Sequence, residues 1–458
     1  MSNRDKKVVI IGLDGANSTT AKFLGVNTQI HDFISTIPPY TPPSWTSIFT
    51  GVHPAKHGVI GWQKVKVKEN KVTLATSRDV KYPRLSEILS RANLKSVLIN
   101  LPLTYPFDGI KYRDNMTIVS DWAAPKQAVF PSTLEDKYRE YLIEPPHEWW
   151  LKGNKEDYPK IVKEFTEKRI EMYYDLFDRQ DWNLYFIVFS ETDWFFHMFP
   201  QVLEGKDINL VKPTFKIIKE FIEHAQSVAD VSFIVSDHGF EKKNKVFYVN
   251  EALAENGFLQ YSKTKTRVFT FIEKKIPRKI LGKLVEITGA SSSPVTYVTQ
   301  NAEAFMVEAG TWGVYVKHPN KISDVKEALA KYDEIADVFE VKELYKGLYT
   351  GSMPNLIVAP QKGVEFSREL KGCTIEEANK GDHEIHGVFS VTGDAIKEDI
   401  QFNRHPRVYD VVPTILHIFG LPIPSDTDGR VLTEIFEENS EFSLKKPVFM
   451  PRINLNKR

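Results

Sequence analysis

Aspartate and histidine recur in pairs along the sequence, in spacings that suit a metal ion. Asp193 and His197 lie four residues apart, so on a helix they would share one face and could grip one ion. Asp237 and His238 are adjacent, and Gly239 permits a tight turn that would present both side chains. Each pair also has a structural interpretation, in which Asp237 caps the next helix and His197 is a hydrogen-bonded core residue.

The hydroxyl of Thr41 is a candidate nucleophile. Thr41 precedes two prolines and a short helical run, Ser44 to Phe49. Pro42 and Pro43 suit the entry to a helix, because their φ is fixed and they lack N–H groups. Thr41 would then lie just before a helix N-terminus, which attracts an anion such as phosphate. Its hydroxyl could attack such a group if its pKa is lowered; the alternative is that Thr41 is only an N-cap.

Continuous apolar runs predict the elements that must position these side chains. Lys7 to Leu13, Trp182 to Ser190 and Val231 to Ser236 have the pattern of parallel strands buried on both faces. Asp14 follows the first run, and the two Asp/His pairs follow the others. In open α/β sheets, ligands bind at the carboxyl ends of the strands. We also predict a strand at Ser96 to Leu101, helices at Arg84 to Ala92 and Tyr158 to Arg179, and mostly helical structure over residues 125–180.

These candidates together outnumber the ligands of a single ion. Asp and His suit zinc and, more loosely, manganese or iron. Six or seven ligands are too many for one tetrahedral ion, but they suit two ions, as in two-metal phosphoryl-transfer sites. The sequence therefore predicts a two-metal site at the carboxyl edge of a mostly parallel sheet.

The motifs also occur in a recognisable order. An Asp-Gly pair is followed by T-x-P with T-G-x-x-P-x-x-H-G behind it, then by D-x-x-x-H, D-H-G and a late histidine. This order resembles the alkaline phosphatase superfamily and, within it, the type I phosphodiesterase/nucleotide pyrophosphatase family. The resemblance covers residues 7 to 125, 180 to 255 and 380 to 435.

The resemblance implies a fold and a set of ligands. The fold would be α/β, an alkaline-phosphatase-like three-layer sandwich with a mostly parallel central sheet and an inserted cap region. Thr41 would be the nucleophile of a site with two divalent ions, zinc with manganese as the alternative. One ion would be held by Asp14, Thr41, Asp237 and His238, and the other by Asp193, His197 and the late histidine.

The late histidine is either His383 or His386. In related sequences it lies a few residues before a Gly-hydrophobic-Phe strand that ends in Gly-Pro or Gly-Asp. His383 has this offset from Gly387-Val388-Phe389, whereas His386 stands directly before the glycine. We therefore predict that His383 is the ligand.

One position departs from the family pattern. Nucleotide pyrophosphatases carry an Asn three residues after the nucleophile, which binds a non-bridging phosphate oxygen, and this chain has Ser44 there. A Ser44 hydroxyl would donate one hydrogen bond to the substrate, which makes a preference for nucleotides doubtful. The Thr41 motif has no Arg and no surplus carboxylates, which favours a singly charged diester over a dianionic monoester.

We therefore predict a phosphodiesterase/nucleotide pyrophosphatase that acts on a small-molecule phosphate ester through a phospho-threonine intermediate. One alternative is a phosphomonoesterase or phosphomutase of the same superfamily. Another is a non-catalytic, metal-binding regulatory protein, which an intact nucleophile and ligand set disfavour. A sulfatase is excluded, because Cys373 lies in KGCTIEE rather than in C/S-x-P-x-R.

Composition narrows the class of protein. The 458 residues include 60 Lys+Arg and 60 Asp+Glu, so the formal net charge of zero predicts no specificity for nucleic acid. The single cysteine excludes an internal disulfide and a Cys-based zinc site. The first residues lead into a strand without a signal-peptide core, and no run of 18 apolar residues occurs. These features predict a cytoplasmic protein without a transmembrane segment; they leave its oligomeric state open.

We divide the chain into a catalytic core of residues 1–255 and 376–440, an insertion or cap of residues 256–375, and a tail of residues 441–458. In the insertion, Lys263 to Lys283 holds eight Lys/Arg against one acid, Glu273, interleaved with apolar residues. This stretch could steer an anionic substrate or lie on an acidic membrane surface, so peripheral membrane contact stays open. Its structural interpretation is a solvated helical face.

Overall fold

The computed structural model describes residues 6–24, 26, 29–69, 71–147, 155–179, 181–261 and 302–451. The basic stretch of residues 263–283 and the end of the tail lie outside the described residues. The chain divides into two compact units. The first comprises Met1–His57, Thr76–Glu241 and His383–Arg458, and the second comprises Gly58–Ala75 and Lys242–Asp382.

The described residues form the following strands: β1 (Val8–Leu13), β2 (His31–Ile34), β3 (Gln63–Lys66), β4 (Lys71–Leu74), β5 (Ser96–Ile99), β6 (Met116–Val119), β7 (Val129–Phe130), β8 (Leu184–Phe189), β9 (Val231–Val235), β10 (Gly239–Tyr248), β11 (Ala304–Met306), β12 (Gly313–Val316), β13 (Ile335–Glu340), β14 (Leu356–Pro360), β15 (Val364–Ser367), β16 (Ile375–Glu384), β17 (His386–Thr392), β18 (Ile423–Pro424) and β19 (Phe449–Met450). The α-helices are α1 (Ser18–Phe23), α2 (Thr41–Thr50), α3 (Pro54–His57), α4 (Leu85–Arg91), α5 (Glu135–Tyr138), α6 (Tyr158–Arg179), α7 (Glu191–Met198), α8 (Lys212–Val228), α9 (Val249–Glu255), α10 (Ile322–Leu329), α11 (Val341–Leu344) and α12 (Val411–Ile418).

The central sheet belongs to the first unit. In the described part of the chain it has eight strands, in the order β2-β17-β9-β1-β8-β5-β6-β7. The run from β9 to β6 is parallel, and antiparallel strands β17 and β7 flank it. Leu13 pairs with Phe189, and Gly12 pairs with Val235. Because these neighbours are in register, the segments that follow β1, β8 and β9 begin at the same edge of the sheet.

Helices cover the sheet on both faces. Successive strand residues point to opposite faces, and β8 shows this directly. Tyr185 contacts Phe221 of α8 at a ring separation of 6.1 Å, whereas Phe186 lies 6.1 Å from Trp45 of α2. The strand side chains are therefore buried on both sides, where each fully buried Phe stabilises the fold by about 1.5–3 kcal/mol. This double burial explains why β1, β8 and β9 are almost entirely apolar, with Ser232 of β9 as the one hydroxyl of an aliphatic side chain.

Most sequence predictions for this sheet are confirmed. The mostly parallel α/β sheet is present, and the predicted runs contain β1, β5, β8 and β9. Helix α6 spans Tyr158–Arg179 as predicted. The prediction of mostly helical structure over residues 125–180 is wrong for its first part, because described residues 125–147 contain strand β7, the four-residue helix α5 and otherwise only short 3-10 turns such as Ser132–Leu134.

Helix α2 begins earlier than predicted. Its first residue is Thr41, with Tyr40 as the N-cap, rather than Ser44. Proline is well accommodated in a first helical turn, because the N–H groups there have no intrahelical acceptor. Thr41 is therefore the opening residue of the helix, and its side chain is not an N-cap.

The second unit has its own sheets and core. Strands β11, β12, β14 and β13 form an antiparallel sheet, and β10 lies between β15 and β16 in another. Its apolar core includes Phe247, Phe305 and Leu356. The bounds of this unit differ from the insertion predicted at residues 256–375, and a cap role stays a prediction. In the described part of the chain, no helix is long and apolar enough to cross a membrane.

Candidate metal centre

The side chains singled out in the sequence are presented at one edge of the central sheet. Asp14 follows β1 directly, and Asp237 and His238 follow β9 after one serine. Asp193 and His197 lie on α7, which starts two residues after β8 ends. His383 lies near the end of β16, and Thr41 opens α2. All belong to the first unit of the chain.

One group of side chains surrounds the Thr41 hydroxyl. Ligand atoms of Asp14, Asp237 and His238 all lie within 4.8 Å of one another. His238 Nε2 is 3.2 Å from Thr41 Oγ1, 3.2 Å from Asp237 Oδ2 and 3.7 Å from Asp14 Oδ1. The structure thus brings together the four residues that the family resemblance assigns to one ion.

A second group adjoins the first. Asp193, His238 and His383 have ligand atoms within 4.8 Å of one another. His197 Nε2 and His383 Nε2 each lie 3.5 Å from Asp193 Oδ1. The rings of His238 and His383 are stacked, with centroids 3.9 Å apart. Asp193, His197 and His383, which the sequence assigned to the second ion, are therefore neighbours.

The alternative histidine, His386, has a different environment. Its side chain is 49% exposed, and its Nδ1 lies 2.5 Å from Glu384 Oε1. The His383 side chain, by contrast, is 10% exposed and directed at Asp193. Of the two histidines, the structure brings His383 to the cluster.

Burial and like charge oppose ionisation of two carboxyl groups in this cluster. Desolvation, reinforced by the neighbouring acids Asp237 and Asp193, raises the pKa of Asp14 well above its ordinary value. Desolvation likewise raises the pKa of Asp237 to about 7. For Asp193, burial also acts to raise the pKa, but His197 and His383 outweigh it and lower the pKa to about 2. The cluster therefore places three carboxyl groups in a site shielded from water, and two of them resist ionisation.

His238 is held in a neutral form that suits a metal ligand. Desolvation lowers its pKa well below the ordinary value. Its Nδ1 lies 3.0 Å from the carbonyl oxygen of Gly239, which can only accept a hydrogen bond, so Nδ1 carries the proton. The lone pair of Nε2 consequently faces Thr41 and the carboxylates. A backbone partner of this kind commonly fixes the tautomer of a metal-binding histidine.

Comparison with known proteins assigns the chain to a family. Residues 9–412 match the model of the type I phosphodiesterase / nucleotide pyrophosphatase family. The chain belongs to this family. It is accordingly a phosphohydrolase that acts on phosphoric ester bonds, and the predicted recognition is confirmed. No curated protein matches the chain.

Solved structures confirm the alkaline-phosphatase-like fold. An inactive variant of murine ectonucleotide pyrophosphatase / phosphodiesterase 5, in complex with AMP, is 13% identical, with a TM-score of 0.56 over 93% of this chain and 98% of that one. Phosphonoacetate hydrolase from Sinorhizobium meliloti, in complex with phosphonoformate, is 14% identical, with a TM-score of 0.57 over 91% and 95%. Alkaline phosphatase PafA is 14% identical, with a TM-score of 0.53 over 95% and 99%.

The residues of this family member fit a divalent cation. Among the described residues, Asp14 Oδ1, Asp193 Oδ1 and Asp237 Oδ2 are buried and have no hydrogen-bond partner. A buried charged oxygen without a partner is costly, and a bound cation would supply the missing partner. Carboxylate and neutral imidazole groups are ligands that zinc accepts and manganese tolerates. The chemical types of these ligands, and not only their burial, therefore fit a metal ion.

Glycines at two positions allow the ligand-bearing turns to form. Gly15 has a φ of +68°, and its N–H donates to Asp237 Oδ1 at 3.2 Å. At Gly239, an added Cβ would lie 2.1 Å from the carbonyl oxygen of His386. The sequence predicted a tight turn at Gly239, but its specific requirement is this close approach of two backbones.

The structure does not bring the Ser44 hydroxyl to the cluster. Ser44 is fully buried, and its Oγ lies 2.9 Å from Ser35 Oγ and 2.8 Å from Thr36 Oγ1. The predicted contact with substrate stays a prediction.

Sequence reasoning also missed two hydroxyls that hold ligand-bearing turns. Thr192 donates to the carbonyl oxygen of Asp14, and Ser236 donates to that of Ala16. Both directly precede a candidate ligand, which is a signal the sequence did contain.

Proposed function

We propose that the protein is a metal-dependent phosphodiesterase of the nucleotide pyrophosphatase type, with Thr41 as its nucleophile. The observation that carries this proposal is the position of the Thr41 hydroxyl, 3.2 Å from His238 Nε2 at the edge of a cluster of three buried carboxylates. The family membership gives the reaction class, and this geometry supports Thr41 as the nucleophile.

Two divalent ions would be held by the two groups of ligands described above. Asp14, Asp237 and His238, with Thr41, would hold one, and Asp193, His197 and His383 the other. Zinc is the ion we propose, with manganese as the alternative. When bound, such ions supply positive charge for the phosphoryl oxygens and lower the pKa of a hydroxyl.

The chain's own residues then account for the covalent steps. Thr41 Oγ1 loses its proton to solvent water and attacks phosphorus, which forms a Thr41–phosphate ester and breaks the bond to the leaving oxygen. The leaving oxygen takes up a proton from water. Water next attacks the same phosphorus and releases Thr41 with its oxygen retained. His238 Nδ1 stays protonated and donates to the carbonyl oxygen of Gly239. The lone pair of Nε2 therefore remains on the side of the ring that faces Thr41.

The N-terminus of α2 offers few N–H groups that could stabilise the negative charge of a phosphate. Pro42 and Pro43 have no N–H, and the N–H of Ser44 already donates to the carbonyl of Tyr40 at 3.0 Å. Of the first four residues, only Thr41 has an N–H available to a phosphate oxygen. Stabilisation by several backbone N–H groups, which an ordinary helix N-terminus supplies, is therefore reduced here.

Buried cationic side chains do not compensate. In the described part of the first unit they are Lys6, Arg84 and Arg169, and each is bound elsewhere. Lys6 pairs with Glu441, Arg84 donates to the carbonyl of Ser77, and Arg169 donates to neutral side chains. A dianionic monoester would gain from a further positive group. A singly charged diester needs less, which supports the diesterase assignment.

Substrate preference tests this assignment. We expect kcat/KM for bis-(p-nitrophenyl) phosphate to exceed that for p-nitrophenyl phosphate, with activity lost on chelation and restored by zinc or manganese. A tenfold or greater preference for the monoester would overturn the diesterase assignment, while leaving the family and the fold in place.

The role of Thr41 has its own test. Thr41→Ala should lower kcat at least about a thousandfold, as removal of a nucleophile does elsewhere. Metal content and thermal stability should change little, because the side chain is small and the other ligands remain. Thr41→Ser, which keeps a hydroxyl, should retain measurable turnover. Full activity in Thr41→Ala would show that another group, such as water, attacks phosphorus.

A further inference from the structure

A chain of buried hydroxyls connects helix α2 to a candidate metal ligand. Ser44 Oγ, one turn after Thr41, lies 2.9 Å from Ser35 Oγ and 2.8 Å from Thr36 Oγ1. Ser35 Oγ in turn donates to the main-chain carbonyl oxygen of Asp237 at 2.5 Å. Ser35, Thr36 and Ser44 are at most 5% exposed. The hydroxyls therefore join three separate segments of chain without water between them.

The number of available protons determines which hydroxyl donates in each of these hydrogen bonds. A hydroxyl has one proton to donate, and a carbonyl oxygen can only accept. Ser35 donates its proton to the carbonyl of Asp237, and Thr36 donates its own to the carbonyl of Pro38 at 2.6 Å. Ser44 is therefore the donor in this group, with the hydroxyls of Ser35 and Thr36 as its two acceptors. Ser44 then has no proton left for a phosphate oxygen. The residue that replaces the family's phosphate-binding Asn is committed to the protein interior instead.

We propose that Ser35 and Ser44 are positioning residues that hold the nucleophile helix against the Asp237 turn. Asp237 is fully buried, and its neighbour His238 contacts the Thr41 hydroxyl. A link from Ser44 through Ser35 to the Asp237 main chain thus fixes the distance between the nucleophile and its activating groups. This inference rests on the proposed role of Thr41 and goes beyond it, because neither serine touches the reacting atoms.

The physical effect follows from the sensitivity of catalysis to distance. An error of about 1 Å in the position of a reacting group can cost on the order of a hundredfold in rate. Outer partners of metal ligands typically contribute about 10- to 100-fold to metal affinity or activity. Loss of either hydroxyl should therefore lower kcat and metal affinity together and leave most of the fold intact.

The test compares Ser44→Ala, Ser35→Ala and the double variant with a matched control, Ser47→Ala. Ser47 lies on the same helix, is also fully buried, and pairs with His57 Nε2 at 3.1 Å rather than with a ligand-bearing turn. For each protein we would measure kcat and KM for bis-(p-nitrophenyl) phosphate, zinc affinity by chelator competition, and the unfolding midpoint.

We expect Ser44→Ala and Ser35→Ala each to lower kcat by about 10- to 100-fold and to weaken zinc binding several-fold. The double variant should be no worse than the poorer single variant, because either change breaks the same link. Ser47→Ala should keep kcat within about twofold even if its unfolding midpoint falls comparably.

Other outcomes would overturn the proposal. If Ser44 touched substrate, kcat would fall in Ser44→Ala and stay nearly normal in Ser35→Ala. The loss of kcat in the double variant would then be the product of the two single losses. If all three single variants behaved alike, the hydroxyls would contribute only to folding. Failure of the proposed function would be seen separately, as full activity in Thr41→Ala, and the zinc-affinity comparison would still test the link.

Discussion

Two buried polar clusters lie at the same edge of the central sheet, and they differ in how their polar atoms are partnered. In the carboxylate cluster of Asp14, Asp193 and Asp237, each residue has an oxygen without a hydrogen-bond partner among the described residues. In the cluster around Arg169, the guanidinium donates to Asn100 Oδ1 at 2.7 Å, to Gln127 Oε1 at 3.1 Å and to the Tyr173 hydroxyl at 3.0 Å.

The two clusters therefore do not differ in burial. They differ in whether their polar atoms have hydrogen-bond partners. Arg169 is 1% exposed and Asp14 is also 1% exposed. The Arg169 cluster satisfies its donors with neutral acceptors, and a satisfied buried network rigidifies a fold. In the carboxylate cluster, burial and neighbouring acids oppose the ionisation of Asp14 and Asp237, which costs free energy until a cation binds. The first arrangement is typical of a scaffold and the second of a site that binds cations.

The largest expected effect comes from removing one charge of the carboxylate cluster. Asp237→Asn should lower kcat at least about a thousandfold, or about 4 kcal/mol, because it removes a proposed ligand beside Thr41. The metal-free protein should nevertheless become more stable above pH 7, because the substitution removes a buried charge that desolvation and the neighbouring Asp193 oppose. Urea unfolding with and without chelator, together with kcat, checks both parts.

Metal addition completes that experiment. Zinc at a hundred times its dissociation constant should stabilise the wild-type protein by about 2.7 kcal/mol, and Asp237→Asn far less. A metal-free Asp237→Asn protein that is less stable than the wild type would contradict the view that this cluster is strained without a cation.

The opposite response is expected from the Arg169 cluster. Arg169→Met should destabilise the protein by about 3 kcal/mol, because it removes a buried guanidinium and leaves the partly buried acceptors of Asn100 and Gln127 without their donor. The folded fraction should keep kcat within about threefold, since Arg169 binds scaffold groups only. Unfolding free energy and kcat at saturating zinc distinguish these effects. A loss of activity comparable to that of Asp237→Asn would mean that both clusters serve the reaction.

The sequence predicted the carboxylate cluster better than the Arg169 cluster, for a physical reason. Asp14 and Asp237 follow apolar runs that could only be buried strands, and Asp193 and His197 have a spacing that one helix turn explains. Arg169 stands within an amphipathic helix, where an arginine ordinarily faces water. Its burial depends on Asn100, 69 positions away in the chain.

The hydroxyl link was invisible in the sequence for the same reason. Ser35 and the carbonyl of Asp237 are 202 positions apart, and a serine has neither the apolar periodicity of a core residue nor the charge of a ligand. The start of α2 was also misplaced, because two consecutive prolines were interpreted as preceding the helix when they form its first turn.

The smallest effect concerns a buried carboxyl group outside the cluster, Asp121, which follows β6 and accepts a hydrogen bond from the N–H of Ala123 at 2.7 Å. No other acid is among the causes of its pKa shift; desolvation alone raises its pKa to about 7, against partial opposition from backbone donors. Asp121 therefore isolates burial from the like-charge repulsion of the carboxylate cluster.

The sign of its pH dependence follows from linkage. A carboxyl group with a folded-state pKa above its ordinary value contributes stability at low pH, and that contribution is lost as the pH rises through the folded-state pKa. The wild-type protein should therefore lose on the order of 2 kcal/mol through Asp121 between pH 4.5 and pH 7.5. Asp121→Asn keeps an oxygen for Ala123 and removes the charge, so that part of the pH dependence of the unfolding free energy should vanish.

Because all other groups titrate alike in both proteins, the difference between their unfolding free energies at the two pH values reports Asp121 alone. Parallel pH profiles would show that burial without like-charge neighbours does not strain a carboxylate at this edge, and that repulsion dominates in the carboxylate cluster.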